Sequence, residues 1–133
     1  MSESLPTLAV KAVIRDGEER ILFLQRNPAK RDSDVFDLAG GLIDEGEEPL
    51  IALYRELKEE LGEAVTIEVG QPLGEWSFYR QLDGKTVKVV NYAARLVSGE
   101  IILSNEHIAK ILVSDSEARG LPVKDKSIFN ALS

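Results

Sequence analysis

Glu56, Glu59, Glu60 and Glu63 stand at i, i+3, i+4 and i+7. On a helix that spacing stacks all four carboxylates along one face. Two unit charges roughly 6 Å apart repel by about 3 kcal/mol at an effective dielectric of about 20, and by less where water screens them. These acids also lie toward the C-terminal end of the helix they would occupy, where the dipole disfavours anions. Such a row is either a solvated face built of good helix formers or a place where a cation relieves the conflict. Hard divalent ions take carboxylate, carbonyl and water oxygens, and Mg²⁺ commonly joins a few carboxylates to substrate phosphates. The second reading predicts a phosphate-handling site.

The element that must carry these acids is a helix over residues 49–61. A glycine-rich loop from Gly40 leads to Pro49, which tolerates a first helical position because its missing N–H would be unpaired there. Gly62 sits where a helix commonly stops. Leu50, Tyr54, Leu57 and Leu61 recur at helical steps and predict the core-facing stripe, with the acids about half a turn away.

Gly41, five residues, Glu47, seven residues, then Arg55-Glu56-Leu57-Lys58-Glu59-Glu60-Leu61-Gly62 resembles the signature of the Nudix hydrolases. Every fixed polar and glycine position of that signature is present. Two places depart from it: Glu63 stands where an apolar residue closes the signature, and Phe36 and Ala39 stand where the entering segment often has Trp and Pro.

The resemblance implies an α+β fold, a mixed sheet sandwiched between helices, with the signature's loop and helix as one wall of a catalytic cleft. It implies hydrolysis of a nucleoside diphosphate linked to another moiety, by attack of water on a phosphorus of the bridge. In such a site Glu56, Glu59 and Glu60, with the Gly40 carbonyl, hold Mg²⁺ or Mn²⁺. The base that deprotonates the water is Glu56, Glu59 or Glu106. Arg55 and Glu47 form an ion pair across the loop–helix junction that fixes the aim of the glutamates. Nucleoside triphosphates, ADP-ribose, dinucleoside polyphosphates and nucleotide sugars are all substrates of such enzymes, because selectivity lies in loops outside the signature. A chain this small mildly favours a nucleoside triphosphate or a short dinucleotide. A non-catalytic nucleotide-binding or regulatory domain is the alternative, which the intact glutamate set argues against. The isoprenoid diphosphate isomerases that share the fold are disfavoured by the absence of cysteine.

Around the helix the pattern is largely of strands. Leu8 to Ile14 alternates and ends at Asp16-Gly17, and Ile21–Leu24 is a continuous apolar run expected to be covered on both faces. The loop that follows carries Arg26 and Arg31, read either as plain solvated cations or as ligands for a substrate phosphate. Residues 35–38 form a brief strand that delivers the glycine loop. Residues 65–69 are read as a separate strand, and residues 74–80 with 86–97 as a long hairpin turning at Asp83-Gly84. Trp76, Phe78 and Tyr79 cluster there; core packing is the first reading, and a wall on which a base stacks, with Trp76 and Tyr79 touching substrate, the second.

Residues 100–103 read as a short strand, and residues 108–113 as another. Between them Glu106 is a turn residue on its own pattern, and a site residue only by the resemblance. His107, the only histidine, is read as structural, since a metal–phosphate site takes oxygen ligands. Ser114-Asp115-Ser116-Glu117 fits a capping box, and Asp125 is expected to cap a last helix through Leu132.

At 133 residues and 44% hydrophobic content the chain is expected to fold as one domain over residues 1–133. A formal charge of −7 argues against general nucleic-acid binding. Without cysteine there is no disulfide or thiolate nucleophile. No apolar run approaches membrane-spanning length and the N-terminus lacks a secretory pattern, so a cytoplasmic protein with a small-molecule nucleotide substrate, monomeric or homodimeric, is the expectation.

Overall fold

The computed structural model of the chain describes residues 7–29, 35–81, 83–123 and 126–132. Arg31 and the Asp125 cap lie outside those residues. Among the described residues the strands form one seven-stranded mixed sheet. Strand β1 (Thr7–Arg15) runs through its middle, parallel to β6 (Lys85–Gly99) and antiparallel to β2 (Ile21–Arg26) and β4 (Ala39–Leu42). The remaining strands are β3 (Phe36–Asp37), β5 (Val65–Arg80) and β7 (His107–Val113). Strands β3 and β7 pair with β2, and β5 pairs with β6 at one edge of the sheet.

Both faces of this sheet are covered. Val10, Ala12, Ile14, Leu22 and Leu24 pack against Ala52, Leu53, Leu57 and Leu61 of helix α1 (Pro49–Leu61). Val13, Ile21 and Phe23 pack on the other side against Ala118 of the short helix α2 (Asp115–Ala118) and Ile128, Phe129 and Leu132 at the closing 3-10 helix (Lys126–Ala131). The continuous run Ile21–Leu24 is thus covered on both faces, as expected. Each such large aliphatic or aromatic side chain contributes roughly 1.5–3 kcal/mol by leaving water.

Helix α1 keeps the residue limits read from Pro49 and Gly62, but it is rotated. Leu50 and Tyr54 are 45% and 46% exposed, and the buried apolar positions are Ala52, Leu53, Leu57 and Leu61. That moves the inward face by roughly 50° at 3.6 residues per turn. Its centre now falls between Leu53 and Leu57 with Glu56 and Glu60 on its flank, so these two side chains are only 16% and 14% exposed while Glu59 stays 57% exposed.

Two further expectations change. Residues 65–69 and 74–80 belong to one strand, β5, joined through irregular pairing around Pro72. Proline is tolerated there because β5 is an edge strand, where a missing donor breaks no ladder. Residues 100–103 form no strand. Instead the N–H groups of Ile102 and Ser104 donate to the carbonyls of Leu61 and Glu60, which the last helical turn would otherwise leave unpaired. The expected last helix is present as a 3-10 helix. The capping box at Ser114 is present: its hydroxyl accepts from the Glu117 N–H, and the Glu117 carboxylate accepts from the Ser114 N–H.

Candidate active site

Antiparallel pairing sets Lys11 opposite Gly40 and Val10 opposite Gly41, which presses the loop against β1 beside the acidic face of α1. Gly40 has φ +140°, and a Cβ there would lie 2.1 Å from the Val10 carbonyl oxygen. Only glycine fits that backbone. The approach lets the Gly40 N–H donate to Glu60 Oε1 at 2.7 Å. At Gly41 a Cβ would lie 2.6 Å from the Glu56 carboxylate, so the missing side chain is the space that carboxylate occupies.

Arg55 organises the acids on the outer side. Its guanidinium grips Glu47 by two bonds, Nε to Oε2 at 2.8 Å and Nη2 to Oε1 at 2.9 Å. Its Nη1 reaches Glu56 Oε1 at 3.0 Å and Glu59 Oε1 at 3.3 Å, and Nη2 also donates to the Leu42 carbonyl. The ion pair expected at the loop–helix junction is therefore present. Arg55 and the Asp44 N–H hold the Glu47 carboxyl down at about 2.

Glu60 behaves in the opposite way. Burial pushes its carboxyl up to about 7, against the opposing pull of Lys11 and the Gly40 N–H. Burial likewise raises Glu56, with Arg55 opposing it. Among the described residues no lysine or arginine lies within ion-pair distance of Glu60; its nearest basic neighbour is His107 Nε2 at 4.0 Å. Burial holds that imidazole below its usual value, and its Nδ1 has no hydrogen-bond partner among the described residues.

These groups line a cleft of about 480 Å³. One end carries Glu56, Glu59, Glu60, Glu106 and His107; the other is an apolar floor of Ala9, Trp76, Phe78, Val87 and Val89. Trp76 and Phe78 stack at a tilt with centroids 5.6 Å apart. Arg26, Lys11 and Arg80 add positive charge to the walls. Arg26 Nη2 donates to Asp37 Oδ2 at 2.6 Å, and Lys11 Nζ shares the same oxygen at 3.0 Å. Burial alone would raise the Asp37 carboxyl, but these two cations hold it below the usual carboxylate range.

The structure thus brings together Gly40, Glu56, Glu59, Glu60, Glu106, Arg26 and Trp76, with Glu47 and Arg55 just behind the acids. It does not bring Tyr79, which is 65% exposed and does not line the cleft. Alternation along β5 forces this, since Trp76, Phe78 and Arg80 share one face and Tyr79 must take the other. Glu63 leaves too, pairing on the surface with Lys58. Glu106 is both a turn residue and a cleft residue: its carbonyl accepts from the Asn27 N–H while it lines the cavity. Sequence reasoning missed Lys11 and Asp37. The signal for Lys11 was a cation flanked by Ala9 and Val13 on one side of an alternating strand.

The donor set fits a hard divalent cation. Glu60 is a carboxylate withdrawn from water with no lysine or arginine at ion-pair distance among the described residues, beside the half-buried Glu56 and the Gly40 main chain, and it offers only oxygen ligands. Among the described residues no three acidic or histidine side chains already converge as a finished metal cage. Arg55 Nη1 holds Glu56 and Glu59, while the Gly40 N–H holds Glu60 separately.

The family model of the NUDIX domain matches residues 5–129. A CTP pyrophosphohydrolase of Escherichia coli strain K12 is 28% identical over 123 residues, which are 91% of this chain and 86% of that protein. Among solved structures, a MutT protein from Methanosarcina mazei Go1 superposes with TM-score 0.80 at 29% identity, covering 96% of this chain and 94% of that one. The E. coli ORF135 protein superposes with TM-score 0.72 at 27% identity, covering 94% and 85%.

Proposed function

The chain belongs to the NUDIX domain family, and from that premise we propose that it is a metal-dependent pyrophosphohydrolase acting on a nucleoside triphosphate or a related nucleoside diphosphate derivative. The observation that carries this reading is Glu60: a carboxylate buried at the acidic end of a cleft whose other end is an aromatic, apolar floor. A nucleotide has the same polarity, with polyphosphate at one end and a base at the other. Trp76 and Phe78 would take the base by stacking, and Arg26 a phosphate oxygen.

Glu56, Glu59, Glu60 and the Gly40 carbonyl are the groups that would hold Mg²⁺ or Mn²⁺, which when bound supplies charge for the bridging phosphates and a water of lowered pKa. The protein's own part is to hold and aim. Arg55 draws Glu56 and Glu59 to one side, the Gly40 N–H fixes Glu60, and Gly41 leaves room for Glu56. The proton of the attacking water passes to Glu56, Glu59 or Glu106, all of which line the cleft. No helix among the described residues is long and apolar enough to cross a membrane.

The similarity to a CTP pyrophosphohydrolase puts pyrimidine nucleoside triphosphates first in a phosphate-release screen run with Mg²⁺ and with EDTA. ADP-ribose and dinucleoside polyphosphates complete that screen. We expect hydrolysis of at least one class that EDTA abolishes, and a fall of about 10³-fold or more in kcat for Glu60→Gln with the fold retained. A Glu60→Gln protein turning over at near wild-type rate would remove this site. Binding of nucleotide with no turnover of any class would favour a non-catalytic binding domain.

A further inference from the structure

Lys11 is a cation deep in the acidic end of the cleft, and the proposed reaction leaves it without a role. Its side chain is only 15% exposed. Its ammonium donates to Asp37 Oδ2 at 3.0 Å, to the Leu38 carbonyl at 3.3 Å and to the Gly40 carbonyl at 3.5 Å. That last oxygen is the main-chain group assigned above to a metal ion. Packing does not ask for a lysine here, because burying an ammonium is costly and Ala9 and Val13 fill the flanking positions on the same strand face. Neutralising Asp37 does not ask for one either, since Arg26 already sits 2.6 Å from the same oxygen. Two cations around one carboxylate leave a positive charge in excess. That excess acts on Glu56 and Glu60.

We propose that Lys11 is the resident cation of the acidic site, its tethered ammonium taking, at the Gly40 carbonyl, the place of one divalent ion that Glu56, Glu59 and Glu60 would otherwise gather. The inference rests on the reading of those acids as metal ligands. Its consequence is a site that collects fewer ions, or holds the first more weakly, before nucleotide arrives.

Titration of free Mn²⁺ by electron paramagnetic resonance, without nucleotide, tests it on the wild-type chain and on Lys11→Met, Lys11→Gln and Lys11→Arg. Lys11→Gln retains an amide donor for Asp37 and the Gly40 carbonyl, which guards against a variant that fails to fold; near-ultraviolet circular dichroism reports the fold of each. The expected result is an additional Mn²⁺ bound, or a first Mn²⁺ bound about tenfold more tightly, in both neutral variants, while Lys11→Arg follows the wild type. Unchanged stoichiometry and affinity in the folded neutral variants would overturn the role of Lys11 and leave the metal site standing. A wild-type chain that binds no Mn²⁺ would instead overturn the reading of the acids themselves.

Discussion

Two adjacent glycines in β4 fail differently when a methyl group is added, and the difference separates folding from catalysis. At Gly40 the new carbon meets backbone on β1, 2.1 Å from the Val10 oxygen and 2.8 Å from Lys11 Cα, at a φ that side-chain-bearing residues rarely adopt. Neither neighbour can move without breaking the sheet. Gly40→Ala is expected to destabilise the fold by on the order of 3 kcal/mol or more, read by urea unfolding. At Gly41 the nearest atoms to the new carbon are those at the end of the Glu56 side chain, which can swing away. Gly41→Ala is expected to unfold within about 1 kcal/mol of wild type yet to lose about tenfold or more in kcat/KM, because the carboxylate no longer points where the reaction needs it. Wild-type kinetics for a folded Gly41→Ala protein would mean that the position of Glu56 does not matter.

Helix α1 shows how much of the site was legible in the chain and where legibility stopped. Pro49 and Gly62 set its limits by backbone chemistry, and the spacing of Glu47, Arg55, Glu56, Glu59 and Glu60 placed the ion pair and the acids. The face it buries was misjudged because Leu50 and Tyr54 are apolar by type, whereas the sheet receives Ala52, Leu53, Leu57 and Leu61, a face that brings Glu56 and Glu60 to the cleft. Nothing local distinguishes those alternatives; the register of β1 on β4 decides. Tyr79 was misplaced because three neighbouring aromatics read as one wall until strand alternation divides them, and Lys11 was overlooked because its partners, Asp37 in β3 and Gly40 in β4, lie 26 and 29 residues along the chain. The 100–104 segment is similar. Residues 100–103 read as a short strand, but the Ile102 and Ser104 N–H groups go to the open carbonyls of α1. This makes it a clamp on the turn that carries Glu60. Ile102 is 58% exposed, so its side chain contributes little while its N–H reaches the Leu61 carbonyl at 2.9 Å. Ile102→Pro should therefore cost about 1–2 kcal/mol and lower kcat with it, while Ile102→Ala stays near wild type in both. Equal behaviour of the two variants would show that the main-chain clamp is irrelevant.

For the whole molecule, the raised Glu60 carboxyl links stability to pH and to metal together. The carboxyl titrates at about 7 when folded against an ordinary value of 4.5, so between those values the folded chain holds a proton that the unfolded chain has released. Stability then falls as pH rises: the favourable contribution is complete below about 4.5 and gone above about 7, a total of about 3 kcal/mol. The depressed acids act elsewhere, since Glu47 at about 2 and Asp37 below its usual range lose their contributions only as pH falls further. A divalent ion that binds the folded chain through ionised Glu60 must displace that proton below about pH 7 and meets no such competition above it. In EDTA, thermal unfolding is therefore expected to show lower stability at about pH 8 than at about pH 5.5, and added Mg²⁺ or Mn²⁺ should raise Tm more at the higher pH. Glu60→Gln lacks that ionisable group, so the fall tied to Glu60 should disappear and leave only what the raised Glu56 and the lowered His107 contribute, with opposite signs; the variant should be more stable than the metal-free wild type at about pH 8, although inactive. An EDTA-treated wild type whose stability climbs across the same window, with a metal increment equal at both ends, would break the link between the buried acid and the ion it is placed to hold.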